Sequence, residues 1–495
     1  MRKNPSLAVR SRTWRLAVGL VAAFIATLAA TSAQASASAH RAGTGPWKTL
    51  DSSKTVQSTT PTVWLNSKNV ATVLWLRQPG GNNFNYEAGT ISATGKIAGG
   101  LTDVFAGAHW GSLSNEPTVL GDNGQPLVVF TGLLSTTGPY SLGCIYGARA
   151  GTSPWTLQTW SLSNNCVNPV GSAGEGKPGA LAAAFPGGWV NGHGVLYRIG
   201  VSPTIPATGS DQHIPLTGGD TAYKTGVVAD TAGNGHFYVA WAQTFSNSHD
   251  GYYVKDVTAG SAVRKAPQSG TNSITRLGQF ADLAIANRNT QPGAYVAYCS
   301  NTSTCQVKLW RIGAATAMTV PSSANAGDVA ISQGPAGRLW IAWYNENTNK
   351  VSVVRTNKAA TKFGPVATFA TPCFEHGLLG LSGGSYGRLD VAMQCVAKST
   401  LRVEEYVTQT RVSLHVALNP STVSNTHSHQ VVVTVTDAGD AVAGATVKFG
   451  THQATTNSNG KATLTIPQGT AVGKHKVTAS APNYRSASAT LTVTH

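Results

Sequence analysis

Glu116, Lys177, Asp282, Asp328 and the adjacent pair Glu375 and His376 occupy equivalent places in the chain. Each stands at or just before the start of a short apolar run. Thr60 and Thr225 hold the same place in two further runs. If the runs converge, four carboxylates, a lysine and a histidine meet. A pair of carboxylates flanking a sugar linkage can hydrolyse it, one as general acid and the other as nucleophile or base. The same oxygens can hold a cation. The plainer alternative is a set of solvated charges lining a water-filled channel.

Tryptophan offers a second chemistry, because sugar rings stack on exposed indoles. Trp75, Trp241 and Trp343 close recurring apolar runs and are assigned to packing. Trp64, Trp110, Trp160 and Trp189 lie outside those runs and are the candidate platforms, with Trp110 placed among the ligand-binding candidates. Two short motifs are rejected. Gly380-Leu381-Ser382-Gly383-Gly384 fits a nucleophile elbow, but that device needs a strand, a sharp turn and a helix, and here a strand follows. Gly174-Glu175-Gly176-Lys177-Pro178-Gly179 fits a phosphate-binding loop, but Pro178 replaces the magnesium-binding hydroxyl and no helix follows. The catalytic residues, if any, stay unassigned.

What must position these groups is a recurring strand pair. The second member is an apolar run ending in a large residue, as in Val73-Leu74-Trp75, Val128-Val129-Phe130, Val195-Leu196-Tyr197 and Trp340-Ile341-Ala342-Trp343. It also occurs at Tyr238–Trp241, Tyr295–Tyr298 and Leu389–Met393. The closing residues are 55, 67, 44, 57, 45 and 50 residues apart. First members begin at Pro61, Pro117, Pro178, Gly226, Asp282, Asp328 and Gly377. Charged residues are only 11% of the chain and glycine numbers 54, which suits strands and tight turns rather than amphipathic helices.

The fold expected is all-β: a β-propeller of seven blades, with six as the alternative, over residues 45–410. In such a ring the starts of the first strands converge on one mouth, which is why the polar residues above belong together. Pro46-Trp47-Lys48-Thr49-Leu50 repeats a unit-ending pattern before the first unit, and the last unit lacks it. Trp47–Leu50 is therefore expected to close the ring as the outer strand of the last blade. The region resembles secreted sialidase-like propellers in architecture. The Asp-box of that class is missing, Ser248-His249-Asp250-Gly251 being a fragment of it, so no sialidase residue carries over.

From about Arg411 the texture changes to alternating threonine and valine. Gly444-Ala445-Thr446-Val447-Lys448-Phe449 and Asn459-Gly460-Lys461-Ala462-Thr463-Leu464 resemble the immunoglobulin-like repeats of invasins and intimins. Carboxypeptidase-regulatory-like sandwiches share such patterns, so the exact family stays open. The resemblance implies an immunoglobulin-like β-sandwich over 411–495 that serves as a spacer or adhesive module. Asn459-Gly460 reads as a type I′ hairpin turn.

The first 35 residues read as a secretory signal peptide. A basic stretch with Arg2, Lys3, Arg10, Arg12 and Arg15 precedes the apolar Leu16–Ala30 and the small-x-small site Ala33-Gln34-Ala35. That apolar run is short for a membrane span. No lipid-anchoring cysteine stands at the cleavage site, so an extracellular product, released or held to a surface non-covalently, is expected. Removing those five basic residues takes the formal charge from +16 to +11. An exported chain excludes nucleic acid as a natural partner, while its charge suits anionic glycans or a cell wall. The six cysteines fall into local couples, and locality favours disulfides Cys144–Cys166, Cys299–Cys305 and Cys373–Cys395. No zinc-type spacing occurs, and neither metal nor cofactor is expected.

The functional expectation is a secreted binding protein recognising a polysaccharide or cell-surface glycan through the propeller. The alternatives are a glycan-active hydrolase or lyase using the axial carboxylates, and a structural surface protein without a small ligand. Oligomeric state is left open.

Overall fold

The computed structural model describes residues 46–495, apart from 82, 106–109, 114–116, 123–124, 131, 135–144, 150–154, 161–171, 176–180, 187–193, 202–211, 217–219, 245–247, 275–282 and 385–386. The described chain is all-β, with one short helix at Thr271–Ile274 and a 3-10 turn at Pro335–Gly337. None of its helices is long and apolar enough to cross a membrane.

Residues 46–411 form successive antiparallel sheets of four strands each, except the first, whose six strands include the later Trp110–Leu113 and Gly132–Leu134. The innermost strands are Thr62–Leu65, Thr118–Asp122, Ser172–Glu175, Thr221–Ala229, Leu283–Arg288, Ala326–Gln333 and Cys373–Ser382. Each contacts the next, and the last returns to the first, so the sheets form a closed, β-propeller-like ring. Closure is made as expected. Lys48–Asp51 pairs antiparallel with Val403–Arg411 as the outer strand of the seventh sheet. At the axis the seventh and first inner strands come so close that a Cβ at Gly380 would lie 2.1 Å from the Pro61 carbonyl oxygen. Packing thus accounts for this glycine of the rejected elbow motif.

The second strands are buried on both faces, which explains their continuous apolar runs. Leu339, Ile341 and Trp343 enter one core with Tyr295, Ala297 and Leu309 of the fifth sheet. Trp340, Ala342 and Tyr344, alternating with them, enter another with Leu389, Val391 and Met393 of the seventh. The first sheet divides in the same way: Leu74 and Leu76 pack toward Val128 and Phe130, Val73 and Trp75 toward Ala392 and Val407. Successive side chains of a strand point to opposite faces, so each strand joins two cores and the hydrophobic effect is spread around the ring. Cys373–Cys395 is a disulfide joining neighbouring strands of the seventh sheet, and Cys299–Cys305 one joining the end of a strand of the fifth sheet to the segment just before the next strand, Val307–Arg311. Cys144 and Cys166 lie outside the described residues.

The third sheet corrects the expected register. Its inner strand is Ser172–Glu175 and its second is Leu181–Pro186, while Val195-Leu196-Tyr197 lies in the third strand, Gly194–Val201. The run that closes this unit is therefore Leu181–Phe185, and Phe185 stands 55 residues after Phe130 and 56 before Trp241. The irregular spacing of 67 and 44 residues disappears. Alanines at 182–184 give that strand little bulk, which hid it behind its more hydrophobic neighbour.

After Arg411 the chain enters two sheets around one core. One holds His415–Asn419, His429–Asp437, Asp440–Ala441 and Lys461–Ile466. The other holds Thr422–Ser424, Ala487–Thr494, Gly473–Ser480, Thr446–Phe449 and His452–Thr455. Burial alternates strictly along Lys461–Ile466, with Ala462, Leu464 and Ile466 inward. The Asn459-Gly460 turn departs from expectation. Only Gly460 has a positive φ, 70°, and its N–H donates to the Asn457 carbonyl, whereas type I′ needs two left-handed residues. It also carries the chain from one sheet to the other rather than closing a hairpin.

The sandwich is fastened to the sixth and seventh sheets. Asp437, fully buried, accepts from Arg355 at 2.6 Å and pairs with Arg338 at 3.0 Å. Asp440 pairs with Arg338 at 2.6 Å, and the Tyr484 hydroxyl donates to Asp437 at 3.2 Å.

Candidate functional site

The inner strands enclose a cavity of about 170 Å³ on the ring axis. Among the described residues, six of the sheets contribute to its lining, including Thr60, Thr118, Lys224, Thr225, Asp328 and Leu379. Among the expected candidates, Asp328, Thr60 and Thr225 thus do meet. The lining is mixed, since Leu283, Val329, Ile331 and Leu381 also contribute. A volume this far below the roughly 300–1,000 Å³ of drug-sized pockets admits one small group, not a length of polymer.

Asp328 does not stand as a solvated acid. It is buried, and its carboxylate accepts a 2.6 Å hydrogen bond from the Leu379 backbone N–H on the next inner strand. It ties the sixth sheet to the seventh beside the axial cavity. Lys224 and Thr225 reach the cavity because the inner strand of the fourth sheet bulges between Ala222 and Thr225.

Glu116 and Asp282 lie outside the described residues, though Pro117, Thr118 and Leu283 beside them line the cavity. The Glu375 and His376 backbones belong to the inner strand Cys373–Ser382, and their side chains are outside the description. Lys177 was expected at the start of an inner strand. It is also outside the described residues, and the strand in question ends at Glu175, so Lys177 follows it instead. Trp110 is not a platform. It is fully buried, 5.1 Å from the Phe105 ring and 5.3 Å from that of Phe130. Trp110–Leu113 pairs with Gly132–Leu134 in an extra ribbon beside the first sheet, and the indole fills its core. Trp64 is half-buried; the Trp160 side chain and Trp189 are outside the description.

A polar cluster on the fourth sheet escaped the sequence reading. Asp220 immediately precedes the inner strand Thr221–Ala229, and His249 sits in the connection between the second strand, Phe237–Thr244, and the third, Gly251–Asp256. Thr221 pairs with Thr244, so both residues lie at the end of the sheet that carries Lys224 and Thr225. The Asp220 carboxylate accepts from His249 Nδ1 at 2.9 Å and from Gln243 Nε2 at 2.9 Å. Gln243 in turn accepts from Trp241 Nε1 at 3.1 Å. Asp220 is buried, whereas 44% of the His249 side chain is exposed. With Nδ1–H committed to the carboxylate, Nε2 is the atom able to take or give a proton. The Tyr253 hydroxyl donates to the His249 carbonyl at 2.7 Å, and burial, aided by Asp220 and Asp250, raises its pKa above the ordinary value. The one sequence trace of this cluster was the fragment Ser248–Gly251.

No family model matches the chain, and no curated protein matches it. Solved structures with a similar outline include a protein of unknown function from Dyadobacter fermentans, at 9% identity over 74% of this chain and 98% of that one, TM-score 0.42. The NanB sialidase from Streptococcus pneumoniae is similar at 11% identity over 74% and 71%, TM-score 0.36. The polysaccharide lyase Uly1 is similar at 9% over 77% and 94%, TM-score 0.39. At such scores the fold rests on the strand pairings above.

Proposed function

We propose that the chain is a secreted extracellular binding protein that takes a terminal group of a polysaccharide or cell-surface glycan in its axial mouth. In this reading residues 1–35 are a signal peptide, 45–410 a seven-bladed propeller and 411–495 an immunoglobulin-like sandwich holding it at a distance from its anchorage. The observation that carries the reading is the axial cavity, lined by Thr60, Thr118, Lys224, Thr225 and Asp328. The mixed polar and apolar lining suits one sugar unit, and the cavity's size fits a chain end. Lys224→Ala should weaken retention on the recognised glycan about tenfold, the scale of one charged hydrogen bond. A glycan array followed by titration measures it. Absence of binding to any glycan, or full binding by Lys224→Ala, rejects the reading.

One observation favours a glycan-active enzyme: the buried Asp220 orienting a half-exposed His249 on the same face. Here His249 is the general base or acid, and the axial Asp328 is a structural link. His249→Asn should lower release of reducing or unsaturated ends about 100-fold or more while leaving glycan retention intact. Equal product release by the variant removes this second reading.

A further inference from the structure

We propose a second binding site, for a polyanionic glycan strand carrying carboxylate or sulfate groups, in the groove where the ring meets the sandwich. Two adjoining cavities of about 310 and 230 Å³ share Thr94 and Gln409 in their walls. Arg411 and Arg485 line the first and Lys48 the second, and all three are exposed. Among the described residues none of the three forms an ion pair, and neither cavity is lined by an aspartate or glutamate. Three uncompensated cations on the walls of one concave surface focus a positive potential along it.

The groove is built, not incidental. Arg388 forms its floor, with Nε 2.9 Å from Asp390, Nη1 2.7 Å from the Ala93 carbonyl and Nη2 2.7 Å from the Asn69 carbonyl. Gln409 donates to the Ser92 carbonyl at 3.0 Å and to Asp390 at 2.7 Å. These bonds lock the first sheet's turn at 92–95 against the seventh sheet. From the sandwich side, Arg485 donates to Thr410 at 2.9 Å and lies 5.2 Å above the Phe369 ring. Its guanidinium is held in place while remaining exposed, which suits a planar carboxylate or a sulfate. Tyr484 adds an aromatic wall. Each cavity exceeds the axial one, and together they accommodate more than one residue of a chain. The site depends on the sandwich for Tyr484 and Arg485, so the two parts of the molecule bind here jointly.

The test uses the full chain on immobilised polygalacturonate, dextran sulfate and neutral dextran. Retention is expected on at least one charged polymer, the choice separating carboxylate from sulfate, and none on dextran. Affinity should fall at least tenfold between about 0.15 and 0.5 M salt, as charges on an exposed surface are screened. Lys48→Gln with Arg411→Gln should also cost at least tenfold at an unchanged melting temperature. Arg485→Gln, which touches the interface, is read beside it. Lys224→Ala should keep its polyanion binding, which separates this site from the axial one. Equal retention of the double variant, equal binding to dextran, or no retention on either charged polymer overturns the proposal.

Discussion

Asp437→Ala is expected to cost about 3–5 kcal/mol, the loss typical when one partner of a buried ion pair is deleted. The carboxylate is fully buried and faces two guanidiniums, of which Arg355 is 1% and Arg338 5% exposed. Arg338 keeps Asp440 at 2.6 Å, so part of its charge stays balanced. Among the described residues Arg355 keeps only the faces of Trp340, at 4.9 Å, and Tyr484, at 5.4 Å, together with a carbonyl contact to Gly387. Aromatic faces attract a cation but do not replace a carboxylate. The variant leaves a guanidinium in a dry interface, and the interface should open to hydrate it. The expected calorimetric result is one cooperative transition in the native chain and two in Asp437→Ala, the sandwich melting apart from the ring. Asp437→Asn keeps the shape and one acceptor, so it should fall between. A loss below about 1 kcal/mol with a single transition contradicts this account. The sandwich is thus a fixed part of the molecule, and polyanion binding in the junction groove should fall with it.

How much of this was readable beforehand depends on the range of the interaction. Strands buried on both faces announce themselves through unbroken apolar runs, so Trp75, Trp241 and Trp343 were placed in packing and lie there, fully buried. Ring closure was legible because Trp47–Leu50 repeats a motif that its own end of the ring needs. Local pattern misled where bulk was scarce, as at Ala182–Ala184, and where a tryptophan outside the repeat served a side ribbon, as at Trp110. Pairings between distant residues were not legible. Asp220 and His249 are 29 residues apart, and Arg355 and Asp437 are 82 apart. Each is an ordinary surface-type residue by composition, and only the stacking of strand ends and sheet edges turns it into a partner. Asp328 was found by position, but its bond to Leu379 was not, because that bond runs between neighbouring sheets.

Glu405→Gln should stabilise the protein at pH 8 by about 1–3 kcal/mol, the scale of a buried polar group relieved of a missing partner. Glu405 lies on Val403–Arg411, the strand that receives the ring-closing strand, directly opposite Asp51 on one side and Gln394 on the other. It is fully buried, and among the described residues neither carboxyl oxygen has a hydrogen-bond partner of normal geometry. Burial drives its pKa well above the usual 4.5, the Asp51 charge adds to this, and the nearby Gln394 amide offsets part of it. Gln394 is itself occupied, accepting from the Thr59 N–H, and its own amide nitrogen falls short of a hydrogen bond. Asp51 is held by Trp75 at 2.9 Å and Arg77 at 3.1 Å, so it cannot turn away. The sign follows from proton counting. Below the ordinary carboxylate range both folded and unfolded chains hold this proton, and no stability is lost. As pH rises through about 4.5 the unfolded chain releases it while the folded chain retains it, so stability falls with pH until the folded group also ionises. Glu87 and Asp390 are shifted upward too, chiefly by burial, and add to the same slope. Urea unfolding at pH 5 and pH 8 should therefore show a smaller loss in Glu405→Gln than in the native chain, not its abolition. An identical pH slope in the variant would mean that the strand facing the closing strand tolerates a charge there, and that water reaches the seam between the seventh and first sheets.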